Sequence, residues 1–219
     1  MDYNESTIAI DGPSGSGKST LSYALGKYLD LDVLESGTLY RCVTLKCIEL
    51  NVDVHDETEV AEIAENLNYE FNNRMTILDG RDVSQRIREH DVVLLVSHVS
   101  VHEKVRSALT YKMQNWILDH KGGVIEGRDI TTVVAPNAKV RIFLDAPEDI
   151  RIKRRSQDVN DSASSKSEEE VAESILIRDK IDSNRKVNPL RKIEGVIELN
   201  SHDYSVEALA ELIVKEYNK

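Results

Sequence analysis

Gly12-Pro13-Ser14-Gly15-Ser16-Gly17-Lys18-Ser19 satisfies the pattern G-x-x-x-x-G-K-[ST] at every fixed position. The apolar run Thr7 to Ile10 leads into it through Asp11, and Lys18 to Leu29 follows with apolar residues at Leu21, Ala24, Leu25 and Leu29. That order is strand, glycine loop, helix. Glycines let backbone N–H groups turn inward around an anion without Cβ clashes. The helix behind them offers its positive end, Lys18 a point charge, and Ser19 a hydroxyl for Mg²⁺. With Gly at about 7% of residues, chance produces this pattern on the order of once in a hundred chains of this length. The stretch therefore predicts a nucleoside triphosphate site made of Gly12 through Ser19 and Thr20.

Working outward, Leu39 to Leu50, Glu57 to Leu67, Val101 to Leu118 and Val206 to Tyr217 carry helical spacing. Val124-Ile125, Val140 to Leu144 and Val196 to Leu199 read as short buried strands. Strands alternating with helices predict an α/β fold, a parallel sheet with helices on both faces. Residues 55 to about 95 break this rhythm. There Tyr69-Glu70-Phe71 and Met75-Thr76-Ile77-Leu78 flank Asn72-Asn73-Arg74, a hairpin signal. The expected division is a core of about 1–54, 96–150 and 176–219, an inserted lobe of about 55–95 and a lid of about 151–175. Between Gln157 and Glu170 the chain turns polar, which reads either as a solvated loop or as the lid's mobile tip.

The 219 residues, 40% of them apolar, suffice for one sizeable domain. No apolar run is long enough to span a bilayer, the start of the chain is polar and acidic, and Cys42 and Cys47 are too few for a disulfide framework. The expectation is a reduced, cytoplasmic protein. A net charge of −11 argues against nucleic acid as a partner. It also requires a phosphate-handling chain to gather its positive charge locally. Arg151, Lys153, Arg154 and Arg155 form its densest basic cluster, next to the expected lid. The six histidines fall in no ligand spacing, and Tyr40 and Trp116 read as packing residues. No guanine-reading Asn-Lys-x-Asp is present, which sets aside regulatory GTPases; the small size with two lobes suits a small-molecule kinase.

Several separate motifs follow the glycine loop in order: Ser36-Gly37-Thr38-Leu39-Tyr40-Arg41, Asp79-Gly80-Arg81-Asp82-Val83-Ser84 with Ile87-Arg88, Val105-Arg106, Gly127-Arg128-Asp129, Val140 to Asp145, and Arg178-Asp179 through Asp182 to Arg185. Together with Ile10 to Lys18 they resemble, almost end to end, the bacterial-type cytidylate kinases among the nucleoside monophosphate kinases. The resemblance implies a P-loop core, an inserted monophosphate-binding lobe and a short lid. It implies transfer of the γ-phosphoryl group of ATP, with Mg²⁺ on Ser19, to CMP and dCMP by a monomer.

By resemblance, Arg41 and Arg128 would hold the acceptor phosphate, a task suited to the planar guanidinium fork, and Ser36 would belong to the CMP site. Ser97, Arg106 and Asp129 would read cytosine, and Asp182 the ribose hydroxyls. Lys18, Arg128, Arg178 and Arg185 would compensate charge during transfer, with Arg178 and Arg185 on one face of a helix. Arg151, Arg154 and Arg155 would close over the ATP phosphates. Three positions depart from the family pattern: Glu35, Thr38 and Glu126. Two other readings remain open, a kinase for a different acceptor and a regulatory module that binds ATP without transferring it.

Overall fold

The computed structural model describes residues 4–72, 74–157 and 167–219. Five strands form the main sheet: β1 (Thr7–Asp11), β2 (Val33–Glu35), β6 (Gly123–Gly127), β7 (Val140–Asp145) and β8 (Ile197–Asn200). Their order is β2-β6-β1-β7-β8 and every neighbouring pair is parallel. All residues of β1 and β6 are buried, as a sheet covered on both faces requires.

Alternation along β1 assigns the faces. Ile8 and Ile10 point toward Leu21 and Leu25 of α1 (Lys18–Leu29) and toward Leu209 and Ile213 of α8 (Val206–Tyr217). Ala9 points the other way, into a core shared by α2 (Ser36–Leu50), α4 (His90–Val99) and α5 (Glu103–Asp119). Leu21 and Leu25 are at most 1% exposed, and such burial is worth about 2 kcal/mol per side chain. The winding leaves the carboxyl ends of β1, β2 and β6 side by side: Asp11 lies beside Gly127, and Glu35 beside Glu126.

The break in rhythm after residue 55 is real. It begins with α3 (Glu57–Glu65), whose N-cap Asp56 accepts from the backbone N–H of Thr58 and Glu59. A separate antiparallel sheet follows, β3 (Tyr69–Asn72), β4 (Met75–Leu78) and β5 (Arg81–Asp82). The predicted hairpin is there, with Asn72 opposite Met75. The strand β2 escaped the sequence reading because it is only three residues long, and α4 because its apolar run read as part of the lobe. The polar stretch expected to be the lid tip lies, over 158–166, outside the described residues. Its flanks are α6 (Glu148–Ser156) and α7 (Glu168–Asn184), which pack through Ile152, Val171 and Ile175. Ser167 starts α7 with a reciprocal capping box to Glu170.

Arg185 does not continue that helix. It is the C-cap, with extended backbone, so Arg178 and Arg185 converge through the helix end rather than along one face. Among the described residues no helix is long and apolar enough to cross a membrane. Cys42 and Cys47 are buried, and burial pushes their thiols up to about 12 and 11.

Candidate active site

A cleft of about 1160 Å³ opens at the carboxyl ends of the strands, larger than the roughly 300–1,000 Å³ that suits one small ligand. The glycine loop forms one end. Gly15 has φ 74°, and a Cβ there would meet the Arg151 carbonyl at 2.8 Å, so a side chain is excluded twice over. The loop is buttressed from behind: Ser14 N–H donates to Asp179 (3.1 Å), and Arg151 donates to the Ser14 carbonyl (3.0 Å) and to Asp179. Arg151 also donates to the Ala146 carbonyl. Its guanidinium is thus committed behind the loop; Arg154 and Arg155 line the cleft and Arg151 does not. Arg154 holds Ser201 through its hydroxyl (2.6 Å) and carbonyl (3.0 Å), beside Val206.

Inside the loop, Lys18 donates to the Pro13 carbonyl (2.7 Å) and to Ser16 Oγ (3.4 Å), with Glu126 4.0 Å away. Burial, then the positive charge of Arg128, lowers its ammonium to about 7. Ser19 Oγ donates to Glu126 Oε1 at 3.0 Å. Asp11, at the end of β1, accepts from the N–H groups of Ile130 and Thr131 (both 2.8 Å) and from the Thr131 hydroxyl (2.6 Å). Burial raises its carboxyl to about 6, against the pull of those three donors. The bonds fix the one-turn helix Ile130–Val134, and with it Gly127-Arg128-Asp129, to the sheet. Gly127 must be glycine for that approach, since a Cβ would lie 2.3 Å from Ser36 Oγ.

The other end of the cleft is a chain of ion pairs. Arg106, 1% exposed, donates to Asp129 (2.6 Å) and to the Ser100 carbonyl (2.9 Å). Arg185 lies 3.5 Å from Asp129 and 3.2 Å from Asp182. Asp182 also accepts from Arg128 Nε (2.9 Å) and has Arg178 at 4.0 Å. Burial works against ionising Asp182, yet Arg128, Arg178 and Arg185 outweigh it and hold its carboxyl below the usual range. Ser36, Tyr40 and Arg41 complete the wall from the start of α2.

Arg41, Arg106, Arg128, Arg154, Arg155, Arg178 and Arg185 all line this cleft in a chain of net charge −11. That is the local concentration of positive charge the acidic composition demanded.

One member of the expected base-reading set is placed differently. Ser97 is half-buried on α4 and does not line the cleft; Ser100, one turn on, does. Sequence reasoning missed Ser100, Ser201 and the buttress Asp179, and marked Glu126 as a departure beside the phosphates. An acid closing the apolar strand Val124-Ile125-Glu126, beside a phosphate loop, was the available signal for Glu126.

Comparison with known proteins agrees with this architecture. The family model described as cytidylate kinase matches residues 8–219. A cytidylate kinase of Caldanaerobacter subterraneus subsp. tengcongensis is 38% identical over 97% of this chain and 94% of its own length. One from Bacillus cereus is 38% identical over 95% of this chain and 94% of its own. Among solved structures, a gluconokinase from Sinorhizobium meliloti superposes with a TM-score of 0.52 at 9% identity, covering 98% of this chain and 92% of that one. At that identity the likeness concerns the fold alone. The family match and the near-full-length relatives place the chain in the cytidylate kinase family.

Proposed function

We propose that this protein transfers the γ-phosphoryl group of ATP to the phosphate of CMP, and of dCMP, giving ADP with CDP or dCDP. The observation that carries the proposal is the single cleft in which a phosphate loop faces a second, arginine-rich pocket through Arg128. A protein that only sensed ATP would have no use for the second pocket.

In this reading ATP lies along the glycine loop with its phosphates against Lys18, Ser19 and Thr20. Arg154 and Arg155 close over those phosphates, and the base lies toward Ser201 and Val206. The acceptor occupies the other end. Ser36, Arg41 and Arg128 take its phosphate, Arg106 and Asp129 its base, with Ser100 better placed than Ser97 to join them, and Asp182 its ribose. The antiparallel sheet with α3 and α4 serves as the acceptor lobe, and the segment from α6 into α7 as the lid that excludes water and so suppresses ATP hydrolysis. An acceptor phosphate is already ionised, so no general base is needed; alignment and charge compensation by Lys18, Arg128, Arg178 and Arg185 supply the catalysis.

The hydroxyl of Ser19 and the carboxylate of Glu126, 3.0 Å apart, are hard oxygen donors of the kind Mg²⁺ takes. These two residues would hold the ion, which neutralises phosphate charge when bound.

The proposal is tested by product analysis: phosphorus NMR should show one CDP formed for each ADP when ATP, Mg²⁺ and CMP are mixed. ADP appearing together with inorganic phosphate and no CDP would contradict it.

The depressed Lys18 has a pH consequence. Without ligand its ammonium is half neutral near pH 7. Triphosphate binding favours the charged form, so binding takes up a proton above that pH. ATP affinity should fall as pH rises from 7 to 9, by up to about tenfold per unit. Calorimetry in buffers of different ionisation enthalpy should register the uptake at pH 8; none would mean that Lys18 is fully charged in the free protein.

A further inference from the structure

Four residues outside the roles given above join the small lobe to the core across the mouth of the cleft. From the core come Tyr23 on α1 and Glu35, the last residue of β2 and the N-cap of α2. From the lobe come Arg74, in the turn between β3 and β4, and Arg88, at the end of the short turn Arg86–Arg88. The Arg74 guanidinium lies over the Tyr23 ring, 4.1 Å from its centroid. Burial, together with the negative charge of nearby Glu35, pushes the Tyr23 hydroxyl upward, and Glu35 pairs with Arg88 at 3.7 Å. The result is one connected run, Arg74–Tyr23–Glu35–Arg88, with a lobe arginine at each end and two core side chains between.

All four side chains line the cleft. Arg74 reaches inward from backbone at φ 74°, a conformation an arginine adopts only when the surroundings favour it. Local packing within the hairpin gives no reason for that reach, because the ring it covers belongs to α1.

Resting on the functional reading above, we propose that Tyr23 and Glu35 form a seat for Arg74 and Arg88, a strap that holds the small lobe over the acceptor end of the cleft and so sets acceptor affinity. These are positioning residues. They act through the lobe rather than on the phosphoryl group. If the binding-competent state is the strapped one, the acceptor's apparent affinity scales with the fraction of molecules strapped. A cation–π contact at a half-exposed site is worth about two- to fivefold in such an equilibrium. The chemical step, once the acceptor is enclosed, is untouched. The signature is therefore a change in KM for CMP at constant kcat.

The test uses two readouts on the full chain. Spin labels on Lys27→Cys, on α1, and Glu70→Cys, on β3, report the distance across the cleft mouth without ligand; both positions are exposed, whereas Cys42 and Cys47 are buried. Arg74→Ala and Tyr23→Ala should each lengthen and broaden that distance. They should raise KM for CMP about two- to tenfold with kcat within about twofold, and the double variant should be no worse than Tyr23→Ala alone. Tyr23→Phe keeps the ring face and should restore most of the effect. An unchanged distance, an unchanged KM, a fall in kcat or strictly multiplicative effects would each overturn the strap. A parent protein that does not turn over CMP would overturn the acceptor reading instead, while the distance would still decide whether the four residues hold the lobe.

Discussion

Arg128→Ala should cut turnover at least about a hundredfold, about 2.7 kcal/mol of barrier, while the protein stays folded and still binds ATP. Arg128 touches both halves of the cleft. Its charge depresses Lys18 on the loop side, and its Nε donates to Asp182 on the other. Burial opposes its charge, but Asp182, Glu126 and Asp179 outweigh that and keep it protonated. A group so held costs no reorganisation when charge shifts between the two phosphates. Arg128→Lys should recover less than about a tenth of the activity, because a point charge cannot reproduce the planar fork that meets Asp182 and the Gly127 carbonyl together. Steady-state kinetics with ATP binding measured in parallel checks this. A loss under tenfold would remove Arg128 from the centre of the mechanism.

Asp129→Ala should produce the largest loss of stability of any single change in the site, about 3–5 kcal/mol in urea unfolding. Among the described residues Asp129 is the only carboxylate paired with Arg106, and it shares Arg185 with Asp182. Both arginine side chains are at most 3% exposed, so removing Asp129 leaves Arg106 without its carboxylate partner and Arg185 with Asp182 alone. Burial and the neighbouring Arg106 already depress Arg185, so this cluster tolerates no further loss of negative charge. Asp129→Asn, which keeps the shape and one acceptor oxygen, should cost less than half as much. If the alanine variant unfolded within 1 kcal/mol of the parent, the ion-pair chain would not be holding this end of the cleft together.

The parts of this architecture that were legible in the sequence are those in which chemistry is local. The phosphate loop is contiguous, and its flanking strand and helix carry their own periodicities, so the fold class was readable, and the proposed triphosphate end suggested, from residues 7 to 29. The pocket proposed for the acceptor was suggested only by motif resemblance. Its members come from α2, α5, the β6 end and α7, and nothing in their spacing says that Arg106 and Asp129 meet. Arg151 shows the limit in the other direction. Sequence groups it with Arg154 and Arg155 as one basic cluster, but helical geometry turns it behind the loop, onto Ser14 and Asp179. Ser97 and Ser100 differ by a single turn of α4, a helix whose apolar composition hid which face the cleft would take. The run through Tyr23 and Glu35 was invisible because each partner lies in a different element; Arg88 falls in a motif and Glu35 at a departure from one, but neither spacing says that they meet.

Glu126 is a middle case. It stood out as a departure, but its role beside Ser19 emerges only from the parallel register that sets β6 against β1. The same register puts Glu35 next to it. Two of the three positions that looked anomalous along the chain are thus neighbours in space, one beside the phosphate loop and one in the proposed seat for the lobe.

The central claim is that one cleft holds ATP and a cytosine monophosphate for direct transfer. It is tested most directly by ADP release from ATP and Mg²⁺ with CMP, dCMP, UMP, AMP and GMP supplied one at a time. Rapid turnover with CMP and dCMP, and rates at least about a hundredfold lower with the purine monophosphates, is the predicted result. Equal or faster turnover with AMP or GMP, or no acceptor-dependent ADP at all, would contradict it.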